Sequence, residues 1–196
     1  RRTAKLARAA RATHETVVHG MYNRAFTSGY TGADGVVLCS TAHPCINGNQ
    51  SNLLTSADMA ETPIEDAVTS IMNTTDSVGM REDLKANSLH FAPANWAEAT
   101  RIVKSVLQND TANNAVNAIR VTNQFPKGLK SSPYLDDADA WFIRTDAQTG
   151  IIHFQREALV FDEDNVFDNK VQKYACYERY SIKWANWRAV FGNQGA

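Results

Sequence analysis

The chain is short of cysteine, proline and net charge, and each shortage removes a class of protein. Cys39, Cys45 and Cys176 are the three cysteines among 196 residues. They are odd in number and too few to staple a chain of this size, so reduced thiols and a cytosolic origin are expected rather than a secreted disulfide scaffold. Lys and Arg number 20 against 21 Asp and Glu, a formal charge of −1. A dedicated nucleic-acid binder carries a basic excess to neutralise phosphates, so the chain as a whole does not grip nucleic acid. No apolar run approaches the roughly 20 residues that span a bilayer, which leaves no membrane span. The opening Arg1-Arg2-Thr3-Ala4-Lys5 lacks the apolar stretch of a signal peptide. Position 1 is not Met, and a processed chain or a fragment is expected. Glycine provides no phosphate cradle: neither G-x-G-x-x-G nor G-x-x-x-x-G-K-[ST] occurs.

What is present is enough apolar material for a packed core, 43% hydrophobic against 21% charged residues, in one domain or two small subdomains. Residues 4–26 read as one helix, with Leu6, Ala10, Val17, Met21 and Ala25 on a common face. Asp34-Gly35 then turns the chain into Val36–Cys39, a short buried strand by composition. Residues 41–56 read as loop. Thr62 as N-cap, Pro63 at the first helical position and Glu65 as the capping-box partner predict a second helix with Ile64, Ala67, Val68, Ile71 and Met72 inward. A strand through Leu89 and Phe91 leads to Asn95, a further cap, and to a third helix with Trp96, Ala99, Ile102, Val103, Val106 and Leu107 inward. Short strands are expected at 118–122, 140–145, 151–154 and 159–161. A long last strand alternates Tyr174, Cys176, Tyr180, Ile182 and Trp184 with polar neighbours, and Glu178 interrupts its apolar side, where a bulge or a partner is expected. The order predicts an α+β protein.

Little of this carries chemistry. Cys39, His43 and Cys45 are three zinc-type ligands within seven residues, but a structural zinc site takes four, usually from two separated pairs. The fourth would come from His90 or His153. The plainer reading is a packed Cys39 and a hydrogen-bonded His43. A Cys-His hydrolase would use Cys39 or Cys45 as nucleophile and His90 or His153 as base, with no local signature behind it. The acidic runs Asp136-Asp137-Asp139 and Asp162-Glu163-Asp164 lack the spacing of a calcium loop and read as solvated turns. His14 and His19 do not share a helix face. Thus no catalytic residue, cofactor or metal is expected. A basic stripe of Arg1, Arg2, Lys5, Arg8 and Arg11 is a solvated face or a weak contact to DNA or to an acidic neighbour. Tyr174, Tyr177, Tyr180, Trp184, Trp187 and Phe191 crowd the last part of the chain. Core filling or a protein interface would account for them, with Tyr177 and Trp187 as the candidate interface residues.

Several stretches carry a family resemblance. The segment Ala33-Asp34-Gly35-Val36-Val37-Leu38-Cys39-Ser40-Thr41-Ala42-His43-Pro44, followed by Asn49-Gln50-Ser51-Asn52-Leu53, resembles the major head subunits of Mu-like tailed phages. So do the strand at Leu89–Pro93, the Trp141-containing strand at 140–144, and the closing segment 182–191 with Trp184 and Trp187-Arg188. Asp34, Gly35, His43, Pro44, Trp141 and Trp184 are the structural residues of these motifs.

The resemblance runs from about residue 4 to residue 192 and implies a Hong Kong 97-type phage capsid fold. Residues 1–28 would form the spine helix, 29–56 a loop and strand of the peripheral domain, 57–117 much of the axial domain, and 118–196 the strand-rich remainder completing the peripheral sheet. The family's N-terminal arm and extended loop are not evident before the helix, so a truncated chain is expected. The implied function is a non-enzymatic major capsid subunit, assembled in the bacterial cytoplasm. It would form hexamers and pentamers in an icosahedral shell around double-stranded DNA. Scaffolding, portal or decoration proteins are its possible partners. An encapsulin-like shell protein enclosing protein cargo is the alternative, and a cytosolic Cys/His enzyme the less favoured one.

Overall fold

A computed structural model of the chain describes residues 2–108, 115–168 and 171–196, with the side chain of Arg2 left out. Helix α1 (Arg2–Asn23) is followed by α2 (Glu61–Met72), strand β1 (Ala86–Phe91), α3 (Trp96–Lys104), a single helical turn α4 (Ala118–Val121), and strands β2 (Leu129–Ser131), β3 (Trp141–Thr145), β4 (Ile151–Val166), β5 (Val171–Trp184) and β6 (Val190–Asn193). The architecture is α+β, as expected. No helix among the described residues is long and apolar enough to cross a membrane.

Two sheets divide the strands. A four-stranded sheet runs β2-β1-β3-β6, with β1 and β2 parallel and the other pairs antiparallel. Alternation along its strands separates two cores. On one face Leu89, Phe91, Trp141, Ile143 and Phe191 pack against Ile64, Ala67, Val68 and Ile71 of α2 and Ala99, Ile102 and Val103 of α3. On the other, Phe142 and Val190 meet Met21, Tyr22 and Ala25 at the end of α1, together with Leu38 and Cys39. Each large apolar side chain so buried contributes roughly 1.5–3 kcal/mol. Gly192 on β6 is required by closeness: a Cβ there would lie 2.6 Å from Cys39 Sγ and 3.1 Å from the Phe142 ring.

The second sheet is the antiparallel pair β4-β5, a long hairpin lying along α1. The face of β5 turned to α1 carries Tyr174, Cys176, Glu178, Tyr180, Ile182 and Trp184, all half-buried, while the residues between them are exposed. This alternation follows the sequence. The register shifts between Gln155 and Glu157 and again between Glu157 and Val160, opposite Tyr180 to Tyr177. The irregularity expected at Glu178 is therefore present, as bulges in the opposing strand. Most of β4 is exposed along its whole length, so the pair buries little on its own.

Several expectations are corrected. Val36–Cys39 is not a strand; Val37 makes one isolated bridge to Thr31, while Leu38 and Cys39 are buried as irregular chain. Residues 118–121 of the expected strand at 118–122 are helical, because the Asn117 side chain caps them by accepting from the Arg120 amide at 3.2 Å. Segments 151–154 and 159–161 belong to one strand. Helix α2 begins a residue before Thr62, with Ala60 as N-cap and no side-chain cap, so the capping box does not form. Asn95 closes a 3-10 turn, Pro93–Asn95, and its side chain donates to the Ala138 carbonyl at 2.9 Å instead of capping α3. Val17, Met72, Trp96, Val106 and Leu107, expected inward, are exposed; on α1 the inward place at that level falls to Val18 and, one turn earlier, to His14. The sheet draws β1 from 57–117 and β2, β3 and β6 from 118–196, so those two segments share one core.

Candidate functional site

The motif residues converge on a buried polar junction between the 29–56 loop and the C-terminal strand. Gly35 takes a positive φ of 77°, which lets the turn close so that Asp34 Oδ1 accepts from the Val36 amide at 3.2 Å. The other carboxylate oxygen, Oδ2, lies 2.6 Å from His43 Nδ1. His43 is fully buried, and its Nε2 lies 2.9 Å from Asn52 Oδ1. The partners of Asn52 fix its orientation. Its Nδ2 donates to the carbonyls of Leu38 and Val190 at 2.7 Å and of Trp187 at 3.2 Å, which leaves Oδ1 as acceptor, also for the Ser40 amide. Both His43 nitrogens thus face side-chain oxygens. Pro44 follows where backbone pairing between His43 and Gln50 stops, and the loop it opens returns through Gly48.

Arg188 fastens the neighbouring loops. It is 9% exposed and donates to the Thr75 carbonyl at 3.0 Å and to Gln50 Oε1 at 2.9 Å, with Cys45 Sγ at 3.4 Å and Glu82 Oε2 at 3.5 Å. Asn193 does the same for 55–57, donating to the Thr55 carbonyl and accepting from the Ala57 amide. Trp141 is fully buried, its Nε1 donating to the Ala57 carbonyl at 3.3 Å. The edge of Trp184 packs on Gly32. Trp187, expected at an interface, is buried against His43 and belongs to the core.

These contacts hold the fold together. Burial pushes the Cys39 thiol far above its ordinary range, so it stays protonated and inert. Burial, followed by the Arg144, His19 and Lys130 charges, lowers His90 to about 4; its Nε2 lies 3.0 Å from Ser88 Oγ. His153 sits on the hairpin beside His14 and Tyr180. Cys39, His43 and Cys45 are not gathered as ligands: among the described residues no group of three or more His, Cys, Asp or Glu is placed to hold a metal ion.

The surface is more informative. On the outer face of the hairpin Phe154, Val160 and Tyr177 are 57%, 51% and 50% exposed, and Val160 pairs directly with Tyr177. Beyond them Asp162, Glu163 and Asp164 are exposed. On α1, Lys5, Arg8 and Arg11 are exposed. Arg1 and the Arg2 side chain lie outside the described residues. A further apolar patch joins Val106, Leu107, Val116 and Val121, held by the Leu107–Val116 bridge.

Sequence reasoning missed Asn52, Arg188 and Asn193 as buried polar nodes. Only the place of Asn52 and Arg188 within the quoted motifs hinted at them, and nothing marked Asn193, since the carbonyl partners are distant in the chain. It also missed the bareness of the hairpin, because period-2 alternation looks the same whether or not the polar side is covered.

The family model described as phage capsid protein matches residues 1–193. Among solved structures, the capsid of Myoviridae phage XM1 is 12% identical with a TM-score of 0.51, over 97% of this chain and 65% of that one. A virus-like particle from Pyrococcus furiosus is 13% identical with a TM-score of 0.44, over 72% of this chain and 56% of that one. The chain thus spans less than two thirds of the length of either. No curated protein matches it.

Proposed function

Because this chain belongs to the phage capsid protein family, we propose that it is a major capsid subunit that self-assembles into capsomers and a closed icosahedral shell around double-stranded DNA. The observation that carries this reading is the β4-β5 hairpin. A two-stranded ribbon is marginal alone, and this one presents Phe154, Val160 and Tyr177 on a face left open among the described residues. A second copy of the chain is the occupant that suits it. The acidic residues 162–164 and the basic face of Lys5, Arg8 and Arg11 stand on different elements with opposite sign, and opposite-sign patches on one subunit favour head-to-tail contacts that close into rings. The fold shared with the phage XM1 capsid supports the same reading.

In this reading α1 is the spine helix, 57–117 supplies much of the axial part, and the strand-rich remainder, hairpin included, is peripheral. A near-neutral charge of −1 limits repulsion among many packed copies. Contact with DNA is weak and non-specific. The relation to Mu-like head subunits rests on the Asp34-Gly35 to His43-Pro44 segment, whose residues form the buried junction. No enzymatic step is part of the role.

The test is a paired substitution, Val160→Asp with Tyr177→Asp, in the full-length product. Loss of particles with unchanged circular dichroism would support the hairpin as the contact. Particles formed as readily as by the unsubstituted protein would overturn it.

A further inference from the structure

Among the described residues, one pair of imidazoles from different elements meets. His14 of α1 and His153 of β4 bring their Nε2 atoms within 3.2 Å at an exposed position. The rings stand edge to face, centroids 5.2 Å apart and planes at 68°. Tyr180 on β5 backs both, at 4.6 Å from His14 and 5.6 Å from His153. His153 lies opposite Ile182 in the hairpin register, on the face turned to α1. Neither Nε2 has another partner among the described residues. His19, also on α1, is turned away from the pair, its Nδ1 2.8 Å from the Glu15 carbonyl oxygen.

We propose that His14 and His153 form a two-imidazole site for a divalent transition-metal ion of the zinc, nickel or copper class, clamping α1 to the β4-β5 hairpin. Two nitrogens bound to one tetrahedral ion at about 2.0–2.1 Å lie about 3.3–3.4 Å apart, within a small adjustment of the distance observed. Without an ion, the pair is restricted to a single N–H···N hydrogen bond, because two N–H groups cannot face one another. Imidazole nitrogen selects such metals over calcium and magnesium, which take oxygen ligands. Among the described residues no third histidine, thiol or carboxylate joins the pair. The remaining coordination positions open to solvent and take water. An ion held this way binds only while the hairpin lies on α1, so it stabilises that arrangement by mass action.

The experiment is titration of the full-length protein, freed of metal, with Co²⁺ followed by visible absorption and with Zn²⁺ followed by calorimetry. His14→Gln, His153→Gln and, as control, His19→Gln are compared. The expected result is one saturable ion per chain, bound about tenfold or more weakly after either of the first two substitutions and unchanged after the third. Absence of saturable binding, or binding that survives both His14→Gln and His153→Gln, would overturn the proposal. Mg²⁺ should give no response. Circular dichroism of each variant separates lost ligation from lost folding, and because binding rather than assembly is read, the outcome is independent of shell formation.

Discussion

His43 lies flat against Trp187, ring centroids 4.3 Å apart and planes 7° from parallel, although 144 positions separate them in the chain. The stack and the Asp34–His43–Asn52 hydrogen bonds make one unit that ties the loop after α1 to the C-terminal strand. Removing the ring leaves the Asp34 carboxylate and Asn52 Oδ1 each short of a partner. His43→Ala should cost about 3–5 kcal/mol, from charge-assisted hydrogen bonds and ring contact together. Urea denaturation followed by Trp fluorescence reads this directly; a loss below about 1 kcal/mol would show the junction to be dispensable.

Arg188 should be similarly intolerant. Its guanidinium carbon lies 4.3 Å from the Trp187 ring centroid, and its nitrogens serve Thr75, Gln50, Cys45 and Glu82. Lysine cannot reproduce that fork. Arg188→Lys is expected to cost roughly 2–4 kcal/mol, and hydrogen exchange should rise first at 45–50 and 75–82, the segments it fastens. Exchange unchanged in both would contradict this account.

The pH dependence of stability has one clear source in His90, held near 4 by burial from an ordinary 6.5. Between those values the unfolded chain takes up a proton that the folded chain refuses. Its contribution is therefore fully present above about 6.5 and is lost as pH falls towards 4, by at most about 3 kcal/mol. His90→Gln should flatten the stability curve over that window. An equally steep curve in the variant would place the effect elsewhere.

Charge complementarity between copies predicts a salt-sensitive assembly. Replacing Lys5, Arg8 and Arg11 by Glu should slow assembly, and adding Asp162→Lys, Glu163→Lys and Asp164→Lys to the same chain should restore it. Raising ionic strength from 0.05 to 0.5 M should slow the unsubstituted protein, since screening shortens to a few ångströms, about 3 Å at 1 M. Light-scattering rates decide it: no rescue by the six-fold swap would remove the head-to-tail pairing.

The parts that could be read from the sequence were those where one local signal decides. The alternation from Tyr174 to Trp184 sets the faces of β5 whatever covers them, and alanine-rich chain with a lone Gly20 sustains α1. Residues 118–122 misled because a short apolar run suits a strand or a helical turn, and the deciding feature was the Asn117 cap. Thr62 misled in the other direction: a helix does begin there, but its N-cap is Ala60, two residues earlier, and no side chain caps it. What no local pattern carries is partnership. Asn52 receives its meaning from Val190, and His14 from His153.

The central claim is that this chain builds shells, and the mass of the particles formed by the full-length product tests it most directly, by sedimentation velocity with negative-stain microscopy. Closed shells or hexameric and pentameric rings are the predicted result. A folded protein that stays monomeric at all concentrations reached would contradict it.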